Sequence, residues 1–174
     1  MMNCLALKSV TLPEGLETIG DMAFYYCEAL ESVEFPDTLQ SIGEYAFLHC
    51  ISLTEVTLPD SVDTLEEYAF ADCTGLTEVT LSKNLTRIPD YGFSQCERLE
   101  SIDLHDGIEE IGVFAFVSCN EISEIVIPEG ATLLDAYAFS DMSGLLSITV
   151  PDSVEEIGEG LLAYTDQVTV YCKE

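Results

Sequence analysis

Basic side chains are scarce in this chain: five lysines and arginines stand against 33 aspartates and glutamates, for a formal net charge of -28. Neutralising a phosphate backbone requires clustered Lys and Arg, so this balance argues against a nucleic-acid ligand. It equally disfavours docking on anionic lipid. No run of 18 apolar residues occurs, so no segment reads as a membrane-spanning helix and no membrane insertion is expected. The opening "MMNCLALKSV" has neither a basic start nor a small-residue cleavage site and does not read as a secretory signal. Histidine occurs only as His49 and His105. No Ser-His-Asp arrangement, phosphate-cradling glycine loop or C-x-x-C pair is present. No catalytic residue, metal ligand or cofactor is therefore assigned, and the chain reads as a non-enzyme.

What the chain has is repetition. "IGDMAFYYC", "IGEYAFLHC", "LEEYAFADC", "IPDYGFSQC" and "IGVFAFVSC" end at Cys27, Cys50, Cys73, Cys96 and Cys119, and "LDAYAFSDM" puts Met142 in the same place. The phenylalanines Phe24, Phe47, Phe70, Phe93, Phe116 and Phe139 each follow the last by 23 residues, and Leu162 continues the column. A fixed period of this length marks a repeat architecture. His49 beside Cys50 could be a base and its nucleophile, but its column elsewhere holds Tyr26, Asp72, Gln95, Ser118 and Asp141. A nucleophile needs a base that is itself held by a third group. Nothing in the sequence supplies one, so the pair reads as packing.

The repeat "LTEVTLPDSVDTLEEYAFADC" predicts the local structure. Leu53, Val56 and Leu58 match the L-x-x-L-x-L opening of a leucine-rich repeat, whose middle is a short strand. Val56 and Leu58 alternate with Glu55 and Thr57, giving one buried and one solvated face. Pro59-Asp60-Ser61 ends the strand, because proline cannot donate to a ladder. Val62 and Leu65 return to the core. Glu66-Glu67 then predicts a short helical turn, with Ala69, Phe70 and Cys73 on one face. The column Tyr45, Tyr68, Tyr91, Phe114 and Tyr137 is expected to stack rung on rung.

Seven cysteines are an odd number, and five share one repeat column that Cys4 extends backwards, while Cys172 lies apart. A column that accepts Met142 predicts buried free thiols behaving as small hydrophobes, not a disulfide framework.

The pattern L-x-x-V-x-L-P-x-x-L-x-x-I-G-x-x-A-F-x-x-C, as in "SVTLPEGLETIGDMAFYYC", runs from Leu7 to about Tyr164 and resembles the BspA-like leucine-rich repeat family. The fold expected is a leucine-rich-repeat solenoid of the α/β class. About seven stacked repeats of 23 residues would form one curved array of short parallel strands and short helical turns. Residues 1–174 read as a single domain, with 1–9 a partial, uncapped repeat and 160–174 a degenerate capping repeat. The resemblance implies a cell-surface or secreted protein that binds host or other surface proteins.

If there is a ligand face, the strand columns supply it. Glu55, Glu78 and Glu124 fall in one solvated column, and Glu34, Thr57, Thr80 and Asp103 in the next. These seven are the candidate binding residues, on the concave sheet face, for a protein with a basic patch. The alternative is a spacer array whose stacked acidic turns bind divalent cations weakly. End-to-end self-association through the uncapped start is a further expectation.

Overall fold

A computed structural model describes residues 3–173 as a three-walled solenoid. The first wall is a row of short parallel strands: β1 (Ser9–Thr11), β3 (Ser32–Glu34), β5 (Glu55–Thr57), β7 (Glu78–Thr80), β9 (Ser101–Ile102), β11 (Glu124–Val126), β13 (Ser147–Pro151) and β15 (Thr169–Lys173). Paired residues lie 23 apart, as in Glu55↔Glu78 and Val56↔Val79. At the last step Ser147 faces Thr169, so that coil is one residue shorter. Val56 is buried between the exposed Glu55 and Thr57, as the alternation requires.

Beyond the proline turn runs a second parallel row of two-residue strands: β2 (Thr18–Ile19), β4 (Ser41–Ile42), β6 (Thr64–Leu65), β8 (Arg87–Ile88), β10 (Glu110–Ile111), β12 (Leu133–Leu134) and β14 (Glu156–Ile157). The row divides between β6 and β8. Gly43, Glu66 and Gly112 donate their N–H to the preceding coil at 2.8, 3.0 and 2.9 Å. The equivalent position in the third step, from β6 to β8, is Pro89, which has no N–H to give.

The third wall corrects the expected helical turn. Among the described residues there is no helix. Each coil instead holds two residues four apart in the left-handed region, such as Tyr45 and His49, Tyr68 and Asp72, or Tyr91 and Gln95, with φ between 52 and 60° over the six inner coils. The backbone then divides its donors. Ala46, Leu48 and Cys50 bond back three residues, to Gly43, Tyr45 and Phe47. Tyr45, Phe47 and His49 point their N–H groups along the axis instead, to Glu67, Ala69 and Ala71 of the next coil at 3.1, 2.8 and 3.0 Å. A helix would consume all these donors within its own turn. It is also about 10 Å across, twice the coil spacing of about 4.8 Å. Acids at the start of this segment in other coils serve the axis too: Asp21 accepts the Glu44 N–H at 3.0 Å, and Asp90 accepts that of Val113 at 3.1 Å.

The core is built of single-residue columns. Phe47, Phe70, Phe93, Phe116 and Phe139 are fully buried and stack with centroids 5.1 to 5.8 Å apart. On the outer side Tyr45, Tyr68, Tyr91, Phe114 and Tyr137 stack at 4.3 to 5.1 Å, as expected. Burial and the neighbouring Tyr91 hydroxyl push the Tyr68 phenol up to about 12.

Cys50, Cys73, Cys96 and Cys119 are free thiols, and the column Cys27, Cys50, Cys73, Cys96 and Cys119 is buried throughout. They are more than small hydrophobes. Each of the last four donates its S–H at 3.2 to 3.3 Å to a phenylalanine carbonyl of the preceding coil, Phe24, Phe47, Phe70 or Phe93. The Phe24, Phe47 and Phe93 oxygens already accept a turn N–H, so the thiol there fills the second lone pair. Thr165, two repeats beyond Cys119, does the same to Phe139 at 3.2 Å. Burial pushes the Cys50 and Cys119 thiols up to about 12, and those of Cys73 and Cys96 well above their ordinary value.

Three outcomes test this fold. Phe70→Ala removes a ring from an unbroken stack and should cost about 3–5 kcal/mol in denaturant unfolding. At the exposed, left-handed Gln95, Gln95→Val should destabilise by about 1 kcal/mol while Gln95→Gly is neutral or stabilising. A helical turn would reverse that order. The raised thiols make the protein most stable below their ordinary pKa of 9, because only the unfolded chain ionises between there and about 12. Stability should therefore fall steadily across that window, and the buried thiols should resist labelling until the chain unfolds.

Candidate functional site

The strand ladder places all seven candidate residues on one exposed face. Glu55 and Glu78 are direct neighbours in register, as are Thr57 and Thr80. Glu34 ends β3, Glu124 opens β11, and Asp103 lies one residue past β9 in the column of Thr80. Glu34 on β3 and Glu124 on β11 are separated by β5, β7 and β9 and share no local environment, so the face is an extended surface and not a single pocket. Because alternate strand residues anchor in the core, these side chains leave a backbone that is already ordered.

Three of the five basic residues pair elsewhere. Lys8 pairs with Glu31 at 3.1 Å, and Lys83 with Asp60 at 3.4 Å in the turn column. Arg87 bridges Asp90 at 2.6 Å and Glu110 at 3.4 Å on the second wall. The Lys83 backbone N–H, helped by its ammonium charge, holds the Asp60 carboxyl below the usual range. Among the described residues, no ion pair involves Glu34, Glu55, Glu78, Asp103 or Glu124.

The ladder is interrupted twice. β1 and β3, then β5, β7 and β9, then β11, β13 and β15 form separate sheets. The steps from β3 to β5 and from β9 to β11 thus lack backbone pairing among the described residues. A shallow depression lies over each. One, of about 430 Å³, is lined by Ser32, Val33, Glu34, Phe35, Glu55 and Thr57. The other, of about 670 Å³, includes Ile102, Asp103, Glu124, Val126 and Ile127.

His49 and Cys50 do not face one another. The His49 ring stacks on Tyr26 at 4.3 Å, contacts the Asp72 carboxylate through Nδ1 and lies 3.9 Å from Glu28 through Nε2. The Cys50 thiol points inward to the Phe24 carbonyl. His49 is thus a polar rung between coils, a role its solitary place in the sequence column did not signal. His105 has a structural role too. Its Nε2 donates to the Ser82 carbonyl at 2.8 Å and its Nδ1 accepts the Gly107 N–H at 3.1 Å, so a neutral imidazole closes a turn that proline closes elsewhere. Its occupancy of the proline column was the available signal.

Two of three comparisons with known proteins place the chain. A leucine-rich repeat protein of T. pallidum superposes with a TM-score of 0.81 at 27% identity, over 88% of this chain and 74% of that one. One from Eubacterium ventriosum gives 0.83 at 22% identity, over 91% and 43% of the two chains. One from Bacteroides ovatus gives 0.69 at 25%, over 98% and 51%. The chain thus spans between two fifths and three quarters of these proteins' lengths. No curated protein matches by sequence. The family model for the BspA type leucine rich repeat region matches six copies, over residues 1–108 and 75–172. The chain belongs to the BspA-type leucine-rich repeat family.

Proposed function

We propose that the chain is a non-enzymatic protein-interaction module that binds a basic partner through its strand face. The carrying observation is the double column of Glu34, Glu55, Glu78, Asp103 and Glu124, none of which shares an ion pair with a cation among the described residues. A preordered backbone loses little entropy on binding. A concentrated negative field steers a basic protein and raises its association rate at low salt. The setting that fits the family is the bacterial cell surface, with adhesion to a host or surface protein as the activity. End-to-end association has support in the apolar residues exposed on the two end coils, Leu5 on one and Ile157, Val170 and Tyr171 on the other.

The spacer alternative draws on the acidic second wall, where Asp21, Glu44, Glu66 and Glu67 surround a hollow of about 340 Å³. The two readings separate by charge reversal. Glu55→Lys with Glu78→Lys should slow association with a basic surface protein and flatten its salt dependence, while circular dichroism stays unchanged. Glu14→Lys with Asp152→Lys, in the turn column, should change little. Unaltered kinetics in the first pair, or a large loss in the second, would move the site off the strand face.

A further inference from the structure

The two interruptions of the strand ladder are copies of one another. At the first, Glu34 ends one strand and Glu55 opens the next; at the second, Asp103 and Glu124 hold the same positions. Each residue recurs at the same offset, 103 − 34 = 69 and 124 − 55 = 69, which is three repeats of 23. At no other described step of this wall does an acid of the outer column precede an acid of the inner one: the equivalent pairs are Thr11 with Ser32, Thr57 with Glu78, Thr80 with Ser101, Val126 with Ser147, and Thr149 with Thr169. Both depressions also carry apolar surface. Phe35 and Val33 line the first, and Ile102 and the half-exposed Val126 the second. An acidic rim over an apolar floor suits a long cationic side chain, whose methylenes cover hydrocarbon while its head meets carboxylates.

Three coils at about 4.8 Å set the notches about 14 Å apart along the axis. An extended peptide rises about 3.3 Å per residue and turns every second side chain to one side, so residues i and i+4 project together about 13 Å apart. We propose that the strand face takes an extended segment laid along the solenoid axis, with arginine or lysine at i and i+4 seated in the Glu34–Glu55 and Asp103–Glu124 notches. The intervening i+2 side chain then lies over Thr57, Glu78 and Thr80. This rests on the reading of the strand face as a site for a basic partner, and it adds the conformation, direction and charge spacing of that partner.

The test uses three synthetic, end-blocked peptides of equal length and charge, alternating threonine and valine around two arginines placed at i,i+2, at i,i+4 or at i,i+6. Binding to the whole chain is followed by fluorescence anisotropy at low ionic strength. The i,i+4 peptide should bind about fivefold tighter than either other, the increment of one further exposed ion pair. Asp103→Asn with Glu124→Gln should erase that preference, and so should Glu34→Gln with Glu55→Gln. All these side chains are exposed, so the fold should persist in each variant. Equal binding by the three peptides would overturn the two-notch geometry and leave the acidic strand face standing as a general basic-partner site. Failure of all three to bind, together with unchanged partner kinetics in the Glu55→Lys, Glu78→Lys protein, would overturn both.

Discussion

The structure depends on a row of backbone hydrogen bonds that run along the axis on the side away from the strands. Alternate N–H groups of the "AFxxC" segment reach the carbonyl of the next coil, and they do so without interruption from Asn3 to Asp141. Left-handed φ values at two residues per coil aim them there. Such a conformation costs a residue with a Cβ roughly 1–2 kcal/mol. It persists because each strained residue carries an axial bond and because the phenylalanine between the two is locked in the core stack. The other two walls are paired as well, but each has at least one unbonded step.

Stacking at this spacing governs composition. Every interior position sits directly above its own equivalent, so a column must tolerate self-contact. Flat rings do so by face-to-face overlap, as the five buried phenylalanines show. A thiol does so by donating to a main-chain oxygen one coil back and not to its neighbour in the column. That removes any need for disulfides and leaves sulfur as a weak, well-placed donor. Thr165 shows that the donor matters as well as the volume, while Met142 shows that one coil can forgo it.

Much of this was legible in the sequence because the period is strict. The buried Phe and Cys columns, the stacked tyrosines and the alternation of Glu55, Val56 and Thr57 all follow from residues that recur at one offset. The helical turn did not materialise because Ala69, Phe70 and Cys73 at i, i+1 and i+4 mark one face of a helix and of a double turn alike. The choice between them lies in the φ of Tyr68 and Asp72; tyrosine gives no left-handed signal, and aspartate, which tolerates that region, recurs at this place only in Asp72 and Asp141. The second strand row leaves no mark in the sequence because Thr64–Leu65 is too short to show alternation. The acidic candidates could be assigned to columns from sequence. That Glu34 with Glu55 and Asp103 with Glu124 flank gaps in the ladder could not, since pairing distances are set by three-dimensional stacking.

Pro89 has a mechanical reading. Its missing N–H opens the second wall between β6 and β8, whereas the first wall opens one side of that level, at β3 to β5, and again on the other, at β9 to β11. The openings alternate between faces and never coincide at one level. Around the continuous third wall the molecule is therefore built as a beam notched on staggered sides. A load that bends it distributes strain over three seams in turn, and no single cross-section has to yield on two faces at once.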